Sequence, residues 1–277
     1  MSSINRNPQS DPKDMVWSFT RLSAFDECPY KFYKTYIEGY KESENAFAQW
    51  GKFMHELLAK NAQGQLNTNK LAGAYKRGYK RAVNLPFPYS FGNKELDEQY
   101  YNDGVGFWFY YDGIPSTMEV LGVEQKLEYE IADFKFKGFL DLLLRDKMSG
   151  DIYLIDHKSK RGFKSKREKR DYARQLYLYS VWVEGQYGTP PKAVVFDMLR
   201  LCSTEVIPYD VKARDEAIEW AKDVVDRACR AIGFPTKLEL SAERRELEQR
   251  YAAPDYFCRH ICGQRTRCPA FEEVMYE

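Results

Sequence analysis

The segment YLIDHKSKRG, residues 153–162, carries the pattern on which both the predicted fold and the predicted function rest. Its first three residues are large and apolar, as in a buried strand, and Asp156, His157 and Lys158 follow where that strand should end. Residues two apart in a strand point to the same face of a sheet, so the Asp156 carboxylate and the Lys158 ammonium would enter one site. Core strands rarely end in this way unless both charges are used, which predicts a functional site here.

A second carboxylate lies in the preceding predicted strand. FKFKGFLDLLLRD, residues 134–146, places Asp141 after Gly138. Two neighbouring strands can bring Asp141 and Asp156 together, and close carboxylates repel each other unless a cation lies between them. A hard divalent ion such as Mg²⁺ or Mn²⁺ suits such a site. Lys158 would lie beside the ion, where it can neutralise charge that develops on a phosphate.

Two further pieces fit the same site. His55 follows Gly51 by one turn in GKFMHELL, and an imidazole added to two carboxylates favours Mn²⁺ over Mg²⁺ somewhat. Gln175 and Tyr179 are four apart on the helix after the Asp-x-Lys strand, so they share a face and can orient a phosphate or the attacking water. Each feature alone is usually structural: a surface ion pair, a packed histidine, a chance spacing. Their joint occurrence favours a catalytic reading, and Glu124 of the first strand is a weaker candidate for a further acid.

The order of predicted elements indicates one α/β domain with a helical elaboration. A first helix would begin with Thr20 as its N-cap and break at Pro29. The remaining predicted elements are helices over 45–60 and 94–113, strands over 119–131, 134–145 and 151–158, a helix over 171–188, strands over 193–201 and 203–210, and helices over 211–232 and 242–251. We expect a loose tail over residues 1–16 and a single domain over 17–277. That domain would have a mostly helical part (17–117), a catalytic core (118–210) and a last part with helices and clustered cysteines (211–277).

Composition limits the functional classes. The net charge of +1 argues against a generic polyanion binder, so any nucleic-acid site must come from a local patch. No apolar run approaches the roughly 20 residues that span a membrane, and the polar N-terminus does not resemble a signal peptide. We therefore expect a cytoplasmic protein without a membrane partner, whose six cysteines are reduced or metal-bound. Aromatic residues, at 16%, suit a large core and also stacking on bases.

The cysteines suggest a second metal site. Cys258, Cys262 and Cys268 lie within YFCRHICGQRTRCPAF, and Cys28, like Cys268, precedes a proline. Clustered thiolates in a reducing compartment indicate zinc or an iron–sulfur cluster. Cys202 and Cys229 lack ligand spacing and are predicted to be core thiols.

A basic run leaves the Asp-x-Lys strand directly. KSKRGFKSKREKR, residues 158–170, contains eight basic residues and one acid. Such a run is by default a solvated loop. Here a phosphate backbone that enters the predicted metal site would meet it, so we predict DNA contact. The candidate contact residues are Lys160, Arg161, Lys164, Lys166, Arg167, Lys169 and Arg170.

The order Gly-x-x-x-His, Gly-x-x-Asp, Asp-x-Lys and Gln-x-x-x-Tyr resembles the PD-(D/E)XK nuclease superfamily. The likeness is strongest to its RecB- and AddB-like branch, which includes the CRISPR-adaptation exonucleases. It spans roughly residues 18–271 and implies a restriction-endonuclease-like αβββαβ core with an N-terminal helical elaboration and a C-terminal Cys-rich metal staple. It also implies Mn²⁺ or Mg²⁺ bound by His55, Asp141, Asp156 and the His157 carbonyl, with Lys158 in catalysis.

The same resemblance extends to the cysteines. Three close cysteines with one distant cysteine resemble the 4Fe–4S staple of that branch, which ties the N-terminal helix to the C-terminal tail. The implied ligands are Cys28, Cys258, Cys262 and Cys268. The branch usually spaces the first two C-terminal cysteines as Cys-x-x-Cys, whereas this chain has Cys-x-x-x-Cys, which leaves zinc as a less favoured alternative, with His260 as a stand-in ligand.

These patterns together predict a metal-dependent phosphodiester hydrolase. The expected substrate is DNA, and the family likeness favours an exonuclease on single-stranded ends, acting in repair or recombination, phage replication or CRISPR adaptation. Two alternatives stay open. A non-catalytic nucleic-acid-binding module would show no divalent-dependent cleavage, and a structural subunit of a repair, replication or adaptation complex would be inert without its protein partner.

Overall fold

The computed structural model describes residues 14–88, 96–232, 258 and 261–268. The described chain forms two compact units. The first is built from described residues of 1–44, 129–137 and 218–277, and the second from those of 45–128 and 138–217. The prediction of a single domain over 17–277 stays a prediction. Residues 1–13 of the expected tail (1–16) and the expected helix over 242–251 lie outside the described residues, and Met15 at the end of that tail is buried.

Within the described residues there are seven α-helices and five strands. They are α1 (Phe19–Glu27), α2 (Pro29–Phe32), α3 (Ala46–Ala62), α4 (Thr68–Ala82), α5 (Leu96–Tyr110), β1 (Met118–Ile131), β2 (Phe134–Asp146), β3 (Ile152–Lys158), α6 (Lys166–Tyr187), β4 (Ala193–Met198), β5 (Ser203–Pro208) and α7 (Val211–Ile232). A π-helical turn, Tyr33–Ile37, follows α2, and a short 3₁₀ turn occupies Arg265–Arg267.

The strands form one sheet in the order β1-β2-β3-β4-β5. β2 and β3 are antiparallel, β3 and β4 are parallel, and β4 and β5 are antiparallel. Parallel neighbours need a long crossover, and α6 supplies it between β3 and β4. The mixed sheet and its helices confirm the predicted α/β class and the order of strands and helices around the Asp-x-Lys strand.

The helical part of the second unit packs α3, α4 and α5 around an aromatic core. Its buried members are Ala46, Trp50, Phe53, Met54, Leu57, Leu58, Leu71, Tyr75, Tyr79, Val83, Tyr100, Phe107, Trp108 and Leu199. Trp50 Nε1 donates a hydrogen bond of 3.0 Å to the Tyr75 hydroxyl. The predicted helix around Gly104 is present, and this glycine leaves room for Tyr75, whose hydroxyl a Cβ would overlap. Sequence reasoning missed α4, whose buried face is formed mainly by tyrosines rather than aliphatic residues.

The first unit shows where the opening helix starts and stops. Ser18, not the predicted Thr20, is the N-cap of α1, because its extended backbone lets its side chain accept from the Arg21 N–H at 3.3 Å. The predicted break at Pro29 is confirmed: α1 ends at Glu27, and the next residue, Cys28, caps α2 because its Sγ accepts from the Lys31 N–H at 3.2 Å.

The basic run is only partly a loop. Ser165 caps α6 by accepting from the Glu168 N–H at 3.1 Å, so residues 166–170 are already helical. The predicted start of this helix at residue 171 was therefore five residues late. None of the helices in the described part combines the length and the apolar character needed to cross a membrane.

Candidate metal centre

All the residues of the candidate centre belong to the second unit, and five elements position them. His55 lies on α3, a helix fixed by its Asn45 cap and by a buried apolar face. Glu124 comes from β1 and Asp141 from β2, while β3 carries the Asp-x-Lys pair and α6 carries Gln175 and Tyr179. Sequence spacing alone cannot show this convergence, because α3 and β3 lie about a hundred residues apart.

His55, Glu124 and Asp141 form the group best suited to hold a metal ion. One donor atom from each lies within 4.8 Å of the other two, and in the described part of the chain no other set of three or more His, Cys, Asp or Glu side chains does this. His55 Nδ1 is 3.5 Å from Glu124 Oε1 and 3.5 Å from Asp141 Oδ1. The set combines one nitrogen with oxygen donors, which fits Mn²⁺ or Mg²⁺.

Glu124 reaches this group through an unusual backbone. Its φ of 46° lies in the left-handed region, inside a long strand. For a residue with a side chain this conformation costs roughly 1–3 kcal/mol and is concentrated at functional sites. Glu124 is only a weaker candidate in the sequence analysis, and a left-handed residue within a strand has no sequence signal when it is not glycine.

The backbone of His157 contacts two members of the group, Asp141 and His55. Its N–H donates to Asp141 Oδ2 at 2.7 Å, and its carbonyl oxygen lies 2.9 Å from His55 Nε2. The carbonyl predicted to be a metal ligand thus lies against the imidazole of the group, and the N–H orients the carboxylate.

The electrostatics of the group favour a positive charge at its centre. Burial disfavours a charged His55, but Asp141 and Glu124 outweigh burial and raise the pKa of His55 to about 10. Burial also opposes the charge on Asp141, yet His55 and the His157 N–H hold the pKa of that carboxyl below its usual value. A divalent cation would supply positive charge in place of the proton on His55, which binds a metal only as the neutral imidazole.

Asp156 and Lys158 form an ion pair beside this group. Asp156 is only 4% exposed, and Lys158 Nζ lies 2.6 Å from its Oδ2. Burial raises the pKa of Asp156; Lys158 opposes that rise and Asp141 adds to it, which shows that the two carboxyls are neighbours. The three residues whose donor atoms converge are His55, Glu124 and Asp141, and Asp156 is not among them. Metal binding by Asp156 stays a prediction.

A chain of contacts holds Lys158 from the side of α6. Lys158 Nζ donates to Gln175 Oε1 at 3.0 Å, and Gln175 Nε2 donates to the Tyr179 hydroxyl at 3.3 Å. Burial raises the pKa of Tyr179 to about 12, so it stays a neutral hydroxyl. Lys158 Nζ also lies 5.1 Å from the centre of the Tyr172 ring, a cation–π contact that the sequence analysis did not anticipate.

The candidate DNA-contacting residues divide into two sets. Lys160 pairs with Glu168, Arg161 with Asp103 at 2.8 Å, and Lys169 with Glu205, so carboxylates of the same unit already neutralise these three. Arg167 and Arg170 lie 3.8 Å and 3.9 Å from Asp171. Lys164 and Lys166 have no ion pair with any described residue. These last four remain the stronger candidates for phosphate contact.

Residues 261–268, the cysteine segment, carry Cys262 and Cys268. They lie against residues 35–43 of the first unit. Gln264 is buried, and its Nε2 donates to Thr35 Oγ1 at 3.1 Å and to the Tyr40 carbonyl at 2.9 Å. Burial raises the pKa of the Cys262 thiol, and the nearby Cys28 contributes to the rise. Cys258 and Cys268 are half-buried. No three cysteine sulfurs of the described residues lie within 4.8 Å of one another.

The remaining cysteines were predicted to be core thiols. Cys202 contradicts this: it is exposed, with a φ of 51°, in the turn between β4 and β5. Cys229 is half-buried on α7.

The comparison with protein families agrees with this geometry. The family model of the PD-(D/E)XK nuclease superfamily matches residues 16–269. The chain belongs to this superfamily, whose members are typically metal-dependent nucleases that use Mg²⁺ or Mn²⁺ on nucleic acid. No curated protein matches the chain.

A substitution at Gly138 tests the packing that positions Lys158 through Tyr179 and Gln175. A Cβ at Gly138 would lie 2.5 Å from a ring carbon of buried Tyr179, so Gly138→Ala should displace that ring and lower the free energy of unfolding by about 1–3 kcal/mol. Gly51→Ala is the matched control, since its Cβ would meet Ser159 at an ordinary 3.5 Å; in the middle of α3 it should be neutral or stabilise by up to about 1 kcal/mol. Urea unfolding measures both, and equal effects would contradict the packing assigned to Gly138.

Proposed function

We propose that the protein is a divalent-metal-dependent deoxyribonuclease that hydrolyses phosphodiester bonds at the candidate centre. The observation that carries the proposal is the convergence of His55, Glu124 and Asp141 beside the Asp156–Lys158 ion pair. An isolated buried carboxylate pair would be costly, whereas carboxylates around a hard cation are stable.

Each residue has a role in the proposal. The side chains of His55, Glu124, Asp141 and Asp156, with the His157 carbonyl, hold Mn²⁺ or Mg²⁺. When bound, the ion supplies charge neutralisation and a lowered pKa of water, the chemistry that phosphodiester hydrolysis needs. Lys158 stabilises negative charge that develops on the phosphate. Gln175 and Tyr179 act as positioning residues, because they hold the ammonium through the hydrogen bonds described above.

The finer assignment is an exonuclease on single-stranded DNA ends, in repair or recombination, phage replication or CRISPR adaptation. It rests on the resemblance to the RecB- and AddB-like branch. Lys164, Lys166, Arg167 and Arg170 would contact the phosphate backbone of the strand, since each phosphate contact with a cation releases counterions and strengthens binding.

Cleavage assays test the catalytic assignment. End-labelled linear single-stranded DNA should be degraded with Mn²⁺ or Mg²⁺ and stay intact with EDTA. Lys158→Ala should lower the rate by about 10²–10³-fold, the scale of removing one group that stabilises developing charge. Lys192→Ala, at an exposed lysine 3.9 Å from Asp151, is the matched control and should cleave like the wild type.

The same assay separates the alternatives. Circular single-stranded DNA should resist cleavage if the enzyme needs an end, and cleavage of circles as fast as linear strands would make it an endonuclease. Binding without cleavage under every metal condition would favour a non-catalytic nucleic-acid-binding module.

We also propose a 4Fe–4S cluster held by Cys28, Cys258, Cys262 and Cys268, with zinc as the alternative. What supports it is the docking of residues 261–268, which carry Cys262 and Cys268, through Gln264 onto Thr35 and Tyr40, shortly after Cys28 in the chain. Thiolates are the ligands of both kinds of site, and four cysteines complete either set.

Metal analysis distinguishes the two. Anaerobically purified protein should be brown and contain about four iron and four sulfide per chain. Cys28→Ser should lose the colour while a hydroxyl still caps α2, and Cys229→Ser, on α7, should keep it. Colourless wild-type protein with one zinc per chain would contradict the cluster.

A further inference from the structure

A cavity of about 390 Å³ lies in the second unit next to the candidate metal centre. The His157 side chain lines it. Neighbouring side chains along a strand point to opposite faces, so the cavity lies on the face of β3 opposite Asp156 and Lys158. Its apolar floor comes from β2, β3 and β4, namely Leu142, Leu144, Ile155 and Val195. The volume lies in the range of pockets that hold small ligands.

Aromatic side chains from the end of α5 and the segment after it line one wall of this cavity. Phe107 and Tyr111 stack with ring centres 5.4 Å apart and planes 24° apart. Tyr110, also in the lining, is 70% exposed. Aromatic rings beside an open cavity favour a flat, aromatic ligand, because stacking contributes about 1–3 kcal/mol per base in proteins that bind single strands.

Two carboxylates line the cavity, Asp112 and Asp197, and Asp197 is the one held by other residues of the lining. Asp197 Oδ2 lies 3.1 Å from His157 Nδ1, and its Oδ1 accepts from Thr204 Oγ1 at 3.0 Å. All three residues line the cavity. An ionised carboxylate accepts hydrogen bonds only, and each oxygen has a second lone pair, so a ligand that lies against Asp197 should present N–H donors.

His157 connects this cavity to the candidate metal centre. Its ring lines the cavity, while its N–H donates to Asp141 and its carbonyl lies against His55. The cavity and the candidate centre therefore share His157 but lie on opposite faces of β3.

We propose that this cavity is a nucleobase pocket, with guanine as the preferred base. Guanine is flat and offers two adjacent donors, N1–H and the N2 amino group, to one carboxylate. That the base belongs to a substrate strand rests on the proposed function. A base from such a strand would have to leave its stack to enter the pocket, which costs least in single-stranded DNA.

Nucleoside binding tests the pocket without requiring cleavage. Saturation-transfer NMR in EDTA should show saturable binding of deoxyguanosine, about tenfold tighter than deoxyadenosine or thymidine, the scale of one two-pronged base contact. Thr204→Trp should block the cavity and abolish binding. Met148→Trp, at an exposed residue of the turn between β2 and β3 and outside the lining, should bind like the wild type. Asp197→Asn should remove the preference for guanine.

Each other result overturns the proposal. No binding of deoxyguanosine by the wild type would exclude a base pocket, and binding without preference would exclude the role of Asp197. Undiminished binding by a folded Thr204→Trp variant would place the site elsewhere. A melting temperature equal to that of Met148→Trp shows that the variant is folded. These measurements involve no metal and no cleavage, so their outcome does not depend on whether the protein is a nuclease.

Discussion

The burial of acidic groups in one place is the constraint on which the rest of the structure depends. Asp156 is almost fully buried, Asp141 is its neighbour, and Glu124 reaches the same imidazole as Asp141. Carboxylates this close disfavour each other's charge, so positive charge must accompany them. The protein supplies His55 and Lys158, and a divalent ion would supply more. This arrangement is the physical basis for proposing the metal centre here.

Lys158 shows how tightly the packing around the candidate centre fixes a charged group. Its ammonium is fixed by the Asp156 carboxylate, by Gln175 and by the face of Tyr172. Gln175 in turn contacts Tyr179, whose ring occupies the space left by Gly138. A group held on several sides needs little rearrangement when charge develops on a substrate, and this preorganisation is the main source of electrostatic catalysis.

The sequence alone predicted the sheet and most residues of the candidate centre, because the Asp-x-Lys strand and its neighbours have strong apolar patterns. The sequence did not predict features that depend on contacts between residues far apart in the chain. The position of the Glu124 side chain depends on its own left-handed backbone within a strand, and the packing of α4 depends on tyrosines in the core. The basic run looked uniform in sequence, yet acids such as Asp103, 58 residues from Arg161, already pair with part of it. No local pattern encodes such pairs.

Manganese binding tests the central claim most directly. Because an ion that binds only the folded state stabilises it, by about 2.7 kcal/mol at a hundredfold excess over Kd, added Mn²⁺ should raise the melting temperature of the wild-type protein. Asp141→Asn should show no such rise, while Glu119→Gln, at a half-exposed carboxylate of β1, should respond like the wild type. The account is contradicted if Mn²⁺ raises the melting temperature of Asp141→Asn as much as that of the wild type.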